Sequence, residues 1–273
     1  MPSPPPHPSL PPVGPWRAAW VRLVLGGVLL AAGLALSGQS LDRQWCLATQ
    51  GALGGWPATW SLLTWSALGI CSLLLVACLS DREPRRVAAL LVAMLLGGLV
   101  VHAIKRSLGV DRPLAVFGAD HPVFQVIGEP LRKGSMPSGH TVTAWTVAGL
   151  MTLSQAATTS PWRHAWWLLA ALQGLSRVVV GAHWPSDVLA GAGIGLLLAP
   201  CVWALGATQR LGRWLDRAAV RPWVGGLLPV LALLLCLLDL GSPLPDAFAA
   251  AVLGLGLFGA LRWSRPPAGR PLF

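Results

Sequence analysis

RRVAALLVAMLLGGLVVHAIKRSLGVDRP, residues 85–113, joins two kinds of sequence end to end. From Val87 to Ile104 every residue but His102 is apolar or glycine; from Lys105 onward the chain is cationic and turn-forming. A helix that crosses a bilayer takes about 20 mostly apolar residues. Inside hydrocarbon the backbone must satisfy its own hydrogen bonds, so a run of this kind predicts a membrane helix. Working outward, similar runs occupy roughly 17–37, 59–79, 141–157, 165–181, 186–205, 223–240 and 246–262. Together with 87–104 they predict an all-α, polytopic transmembrane bundle of about eight spans. Glycines inside the runs, such as Gly191, Gly193 and Gly195, predict close helix contacts.

Composition agrees. Hydrophobic residues make up 54% of the 273 and charged residues 11%, against about 25% in an ordinary soluble domain. The formal net charge of +10 does not point to nucleic acid once its distribution is considered. With the first span starting in the cytoplasm, Arg17, Arg22, Arg82, Arg85, Arg86, Arg163, Arg210, Arg213, Arg217, Arg221, Arg262, Arg265 and Arg270 share the inner side. Arg43, Lys105, Arg106, Arg112, Arg132, Lys133 and Arg177 share the outer side. That is the positive-inside asymmetry; it predicts both termini inside and the 105–140 and 177–187 segments outside. Trp16, Trp20, Trp56, Trp60, Trp162, Trp184, Trp203, Trp223 and Trp263 fall near predicted helix ends, where indole favours the interface. Cys46, Cys71, Cys78, Cys201 and Cys236 have no metal-ligand spacing and read as small packing residues.

Three segments are expected along the chain. Residues 1–15, mostly proline, predict a disordered cytoplasmic tail without the order of a signal peptide. Residues 16–205 predict the catalytic membrane core. Residues 206–273 predict a short basic cytoplasmic loop (about 206–222) and two more spans. The segment at about 105–139 is the longest between spans, and long loops in compact proteins are often functional.

Three clusters carry chemistry: Lys105-Arg-Ser-Leu-Gly-Val-Asp-Arg112-Pro113, Pro137-Ser138-Gly139-His140, and Ser176-Arg177 with His183-Trp-Pro-Ser-Asp187. The predicted topology brings all three to one face. Arg112 and Arg177 can fork onto phosphate oxygens, and Lys105 adds a point charge. Ser138 and Gly139 open a helix, whose free N–H groups favour an anion. His183 and Asp187 lie one turn apart, so Asp187 can orient the ring and leave its other nitrogen to attack phosphorus. His140 can serve as proton donor and acceptor, since imidazole titrates at about 6.5. Nothing in the set calls for a metal or cofactor. His102 reads as packed or interfacial. His121 and Glu129 read as loop surface within reach of a head group. Gln44, Gln50 and His164 carry no signal, and Asp239 and Asp246 are assigned no role.

Lys105-x6-Arg112-Pro113, Pro137-Ser138-Gly139-His140 and Ser176-Arg177-x5-His183-x3-Asp187 resemble the three-part signature of the type 2 phosphatidic acid phosphatase (PAP2) superfamily. The resemblance covers about residues 60–205 and implies a six-helix core with a site at the membrane surface. It implies a metal-free reaction through phosphohistidine on His183, with His140 as acid/base and Asp187 orienting His183. Lys105, Arg112, Ser138, Gly139 and Arg177 would bind phosphate. The expected function is a lipid phosphatase acting on undecaprenyl diphosphate or phosphatidylglycerophosphate, at the outer face of a bacterial inner membrane. A lipid phosphotransferase or lipid A phosphatase would use the same residues, whereas a non-catalytic lipid binder or transporter would not need His140, His183 and Asp187 intact. The expected partners are the lipid substrate and the bilayer, with no nucleic acid.

Overall fold

The structure, a computed structural model, describes residues 15–153, 162–238 and 245–265. The proposed tail at 1–15 lies, apart from Pro15, outside the described residues, as do Asp239 and the far end of the fourth predicted span. Among the described residues all regular structure is helical: α1 Pro15–Leu36, α2 Ser40–Leu53, α3 Pro57–Ser66, α4 Gly69–Leu79, α5 Arg85–Leu108, α6 Pro113–Phe117, α7 Gly139–Met151, α8 Arg163–Val179, α9 Pro185–Ala204, α10 Gly206–Leu215, α11 Arg221–Leu237 and α12 Asp246–Trp263. The chain is an integral membrane helical bundle.

Among the described residues, four helices are individually long and apolar enough to cross a bilayer: α1, α5, α9 and α12. The predicted span 59–79 is instead the pair α3–α4, bent by 65°. No proline breaks it. Ser66 Oγ donates to the Leu63 carbonyl at 2.8 Å and accepts from Gln173 Nε2 at 2.9 Å; hydroxyl back-bonding of this kind bends helices. The predicted spans 223–240, 165–181 and 141–157 correspond to α11, α8 and α7, of 17, 17 and 13 described residues.

Two segments outside the predicted spans are helices. Residues 206–215, expected to be loop, form α10, which buries Thr208, Gly212 and Leu215 on one face and exposes Arg210, Arg213 and Trp214. Residues 40–53 form α2, which buries Asp42, Cys46 and Gln50 at helical spacing. The tryptophans also divide. Trp20, Trp56, Trp162 and Trp223 are largely exposed, as interfacial residues would be. Trp60, Trp184 and Trp263 are buried instead, because each indole N–H finds a carbonyl: Leu53 at 2.8 Å, Asp111 at 2.7 Å and Ala77 at 2.9 Å.

Helix α9 is central, packed against α1, α5, α7 and α8. Its small residues make that possible. A Cβ on Gly191 would sit 2.7 Å from the Ser138 carbonyl oxygen, so glycine there lets α9 reach the start of α7. The C-terminal pair α11–α12 packs against α4 on the other side of the bundle. Lys105, Arg112, Ser138, Arg177 and His183 meet at one end. Arg85, Arg213 and Arg221 lie at the other, where Arg221 Nη1 reaches the Asp81 carbonyl at 2.9 Å.

Candidate active site

The α8–α9 junction sets one imidazole. Helix α8 closes with the Val180 N–H on the Ser176 carbonyl at 2.9 Å. Gly181 follows at φ +73°, a left-handed turn that favours glycine, and a Cβ there would collide with the Gln125 carbonyl. The turned chain delivers the Ala182 and His183 N–H groups to the Arg177 carbonyl at 3.1 and 3.0 Å. Pro185 then opens α9, and Asp187 reaches back so that Oδ2 accepts the Trp184 N–H at 2.9 Å. The same oxygen accepts the Ser135 hydroxyl at 2.5 Å and lies 3.1 Å from His183 Nδ1. A carboxylate partner assigns the proton to Nδ1, which leaves the Nε2 lone pair unshared. Burial first, then the positive charges of Arg112, Arg177 and Lys105, hold the His183 imidazole well below its ordinary pKa. The ring is therefore neutral near pH 7.

Cations gather opposite it. Gly109, left-handed at φ +57°, caps α5 just past Lys105, and Pro113 starts α6 just past Arg112. The Arg112 guanidinium is buried and donates Nε to the Lys133 carbonyl at 3.0 Å, Nη1 to Ala182 at 3.0 Å and Nη2 to Gly134 at 3.5 Å. Lys105 Nζ donates to the carbonyls of Gly134 and Ser135. Arg177 Nε is buried with no hydrogen-bond partner among the described residues. A guanidinium nitrogen in that position is costly unless an acceptor joins it.

The second imidazole enters on α7. Ser138 caps this helix, its Oγ accepting from Thr141 Oγ1 at 3.0 Å. The Ser138 N–H donates to the Asp187 carbonyl at 3.1 Å, so the hydroxyl proton is what Ser138 has left for an anion. Gly139 and His140 line a cavity of about 320 Å³ together with Lys105, Arg112, Arg177 and His183. Six of the eight expected site residues thus face one space. Asp187 stands behind His183, and Ser138 behind Gly139.

Other parts of the site carried no sequence signal. Ser135 holds Asp187. Asp42 of α2 accepts the Ser186 N–H at 2.9 Å and its hydroxyl at 2.5 Å, capping α9 from another helix. Gln50, passed over above, accepts the Gln125 N–H at 2.9 Å and donates to the Gln125, Val178 and Val179 carbonyls. It ties the 125 loop to the end of α8. Helix α3 forms a further cavity wall, and Glu129, read as loop surface, also lines the cavity. His121 organises its own turn by accepting the Val123 and Phe124 N–H groups. His102 lines a separate groove between α5 and α7.

A family model described as the PAP2 superfamily matches residues 86–211. Lipid A 1-phosphatase of Porphyromonas gingivalis is 37% identical over 108 residues, which are 39% of this chain and 21% of that protein. Lipid A 1-phosphatase of Rhizobium etli is 32% identical over 108 residues, 40% of this chain and 45% of that one. The chain therefore spans about a fifth of the first relative and under half of the second. Decaprenylphosphoryl-5-phosphoribose phosphatase of Mycobacterium tuberculosis is 34% identical over 134 residues, 48% of this chain and 68% of that protein. The crystal structure of Aquifex aeolicus LpxE shares the fold, with a TM-score of 0.53 and 23% identity over 62% of this chain and 99% of that one.

Proposed function

This chain belongs to the PAP2 superfamily, and from that premise we propose that it removes phosphate from a membrane lipid, with His183 as nucleophile and His140 as acid and base. The single observation that carries this reading is the His183 Nδ1–Asp187 Oδ2 contact at 3.1 Å, behind a ring that faces a cavity shared with His140 and three cations. In the first step Nε2 attacks phosphorus while the bond to the lipid oxygen breaks, and His140 protonates that oxygen. In the second, His140 takes a proton from water, the oxygen attacks phosphorus, and the P–N bond breaks to release phosphate. Asp187 keeps Nδ1 protonated throughout and stabilises the positive ring that forms. Lys105, Arg112, Arg177, the Ser138 hydroxyl and the Gly139 N–H hold the phosphate oxygens, so catalysis rests on positioning and charge.

Undecaprenyl diphosphate and phosphatidylglycerophosphate fit this chemistry. The relatives' names support lipid A, the alternative given above, and add a decaprenyl-linked phosphoribose to the candidates. The site is read as facing the exterior of a bacterial inner membrane. In sealed inside-out vesicles an impermeant short-chain ester should then be protected, and turnover there would reverse the orientation. The intermediate is tested with phosphate-labelled lipid and protein quenched during turnover. Label is expected on His183, stable to alkali and lost in acid. Continued turnover with label on another residue, or with none trapped on a His140 variant slowed in dephosphorylation, would remove the two-step mechanism.

A further inference from the structure

At the end of the bundle away from the candidate site, a cleft of about 300 Å³ opens where α10 packs against the start of α5. Arg82, Arg85 and Arg213 line it, with Glu83 and Asp216. A Cβ on Gly212 would sit 2.8 Å from Arg85 Cα, so glycine lets the α10 backbone touch the first turn of α5. That contact brings Arg213 and Arg85 to one cleft. The charges there do not cancel. The acids at this end, Asp81, Glu83 and Asp216, each pair with an arginine outside the lining: Arg262 at 2.5 Å, Arg86 at 2.7 Å and Arg221 at 3.1 Å. No lining arginine has an ion-pair partner among the described residues. Arg85 Nη2 donates to the Trp203 carbonyl at 2.5 Å, and the guanidinium lies over that indole, 4.1 Å from the ring centroid. Arg85 Nε is buried with no hydrogen-bond partner among the described residues. Arg82 and Arg213 are exposed and donate to no described residue. Positive charges gathered in this way repel one another, and an anion that accepts from them relieves the repulsion.

The surroundings select the kind of anion. Helices α5 and α9 are each long and apolar enough to cross a bilayer. Arg85 stands where the apolar run of α5 begins, and so at the level of the head groups. Helix α10 is amphipathic: Thr208, Gly212 and Leu215 are buried, whereas Arg210, Arg213 and Trp214 are exposed. Leu205, just before it, is exposed as well. Indole and apolar side chains beside guanidiniums suit the boundary between acyl chains and head groups better than open water. We propose that Arg82, Arg85 and Arg213 bind the phosphate of an anionic phospholipid in the leaflet opposite the candidate site. A zwitterionic head group would bring one more positive charge into the cleft, so the site selects lipids of net negative charge. This lipid is not the substrate, and its binding does not depend on the phosphatase reading.

The test is lipid retention by the purified full-length chain, measured by native mass spectrometry in detergent with equal phosphatidylglycerol and phosphatidylcholine. Wild type is expected to retain phosphatidylglycerol with a preference of roughly tenfold or more. Arg213→Gln should lower that preference by about fivefold, the worth of one guanidinium near an anionic surface. Arg85→Gln/Arg213→Gln should bring it near parity, and Arg213→Gln alone, on the exposed face of α10, keeps the test open if the pair fails to fold. Arg210→Gln/Arg217→Gln removes as much charge outside the cleft lining and should lower the preference less than Arg213→Gln does. Arg112→Gln, at the other end of the bundle, should leave it unchanged. Equal retention of the two lipids by wild type would overturn the site, as would a preference indifferent to Arg213→Gln. A loss from Arg210→Gln/Arg217→Gln as large as that from the cleft pair would reduce it to diffuse attraction, and a loss in Arg112→Gln would place the lipid in the candidate site instead. Glycerol 3-phosphate bound as tightly as the lipid would give the cleft to a soluble anion and overturn the lipid assignment.

Discussion

The two sides of the candidate site are built on opposite plans. On the His183 side the ring and the turn that carries it are fixed by their neighbours, while Asp187 Oδ1 is buried without a hydrogen-bond partner among the described residues. The ring is held through Asp187 Oδ2, that oxygen is shared with Ser135 and the Trp184 N–H, and the backbone is pinned to the Arg177 carbonyl. On the opposite side Lys105 and Arg112 rest on the carbonyls of Lys133, Gly134, Ser135 and Ala182, and Arg177 Nε has no acceptor among the described residues. Carbonyls are weak partners for full charges, and a phosphate dianion is a stronger one. The proposed nucleophile, His183, is thus oriented before substrate arrives, whereas the cations keep donors in reserve. Orientation of the attacking atom is expected to dominate the rate, and re-aiming of the cations to dominate affinity.

The sharpest way to break this contrast is at the nucleophile. His183→Ala should lower kcat by about a thousandfold or more, the scale seen when other enzymes lose theirs. Its thermal midpoint should fall only modestly, since the substitution removes one hydrogen bond to Asp187 and enlarges a cavity that is already there. Turnover within tenfold of wild type would end the assignment. His140→Gln comes next. Loss of a general acid lowers rates by about 10²- to 10⁴-fold, and the deficit should shrink for an ester with an activated leaving group. An equal deficit on both esters would move His140 out of proton transfer.

Arg112 tests the other side. Arg112→Lys keeps the charge but loses the fork, and should raise KM by about tenfold with a smaller change in kcat. Arg112→Gln removes one of the charges that depress the His183 imidazole, so the pKa of that ring should rise toward its ordinary value. With the neutral ring as the proposed nucleophile, the acid limb of kcat/KM should shift to higher pH. In wild type that limb should lie well below about 6.5. An acid limb that stays in place in Arg112→Gln would mean that another group sets it.

Legibility in the sequence followed the same division. That His183, His140 and the cations gather at one end could be read in advance, because they stand in short motifs on either side of long apolar runs. The supports could not. Asp42, Cys46 and Gln50 do repeat at helical spacing, but a stripe with an acid and an amide in it does not look like a buried face. Ser135 stands two residues before a motif, with nothing to distinguish it from a loop serine until Asp187 is placed beside it. The α3–α4 bend has no proline to announce it and depends on Gln173, over a hundred residues away. In α10 the buried positions are a threonine, a glycine and one leucine, too little hydrophobicity to stand out against the long apolar runs around it. Trp263 sits at a predicted helix end like any interfacial indole, and only the Ala77 carbonyl draws it inside.

The smallest expected effect is at Asp42, and it asks whether the fixed side needs its outermost support. Asp42→Ala removes the acceptor for the Ser186 N–H and should cost about 1 kcal/mol of stability, as cap losses do. Any loss of turnover should be smaller than that at Arg112, because the carboxylate touches α9 and not the imidazole. Asp42→Asn can still accept from the backbone N–H, and differs chiefly in charge. Burial is the main influence on the Asp42 carboxyl, and it raises the pKa despite the Ser186 bonds that oppose it. The folded protein therefore holds this proton more tightly than the unfolded chain does. Its contribution to stability declines as pH rises from the ordinary carboxylate range through the raised value. Asparagine has no proton to lose there, so the wild-type-minus-Asn difference in thermal midpoint should fall with rising pH across that window and level off above it. A difference that instead grows with pH would make the ionised carboxylate the better cap, and would mean that the charge on Asp42 holds α9, and with it His183, in place.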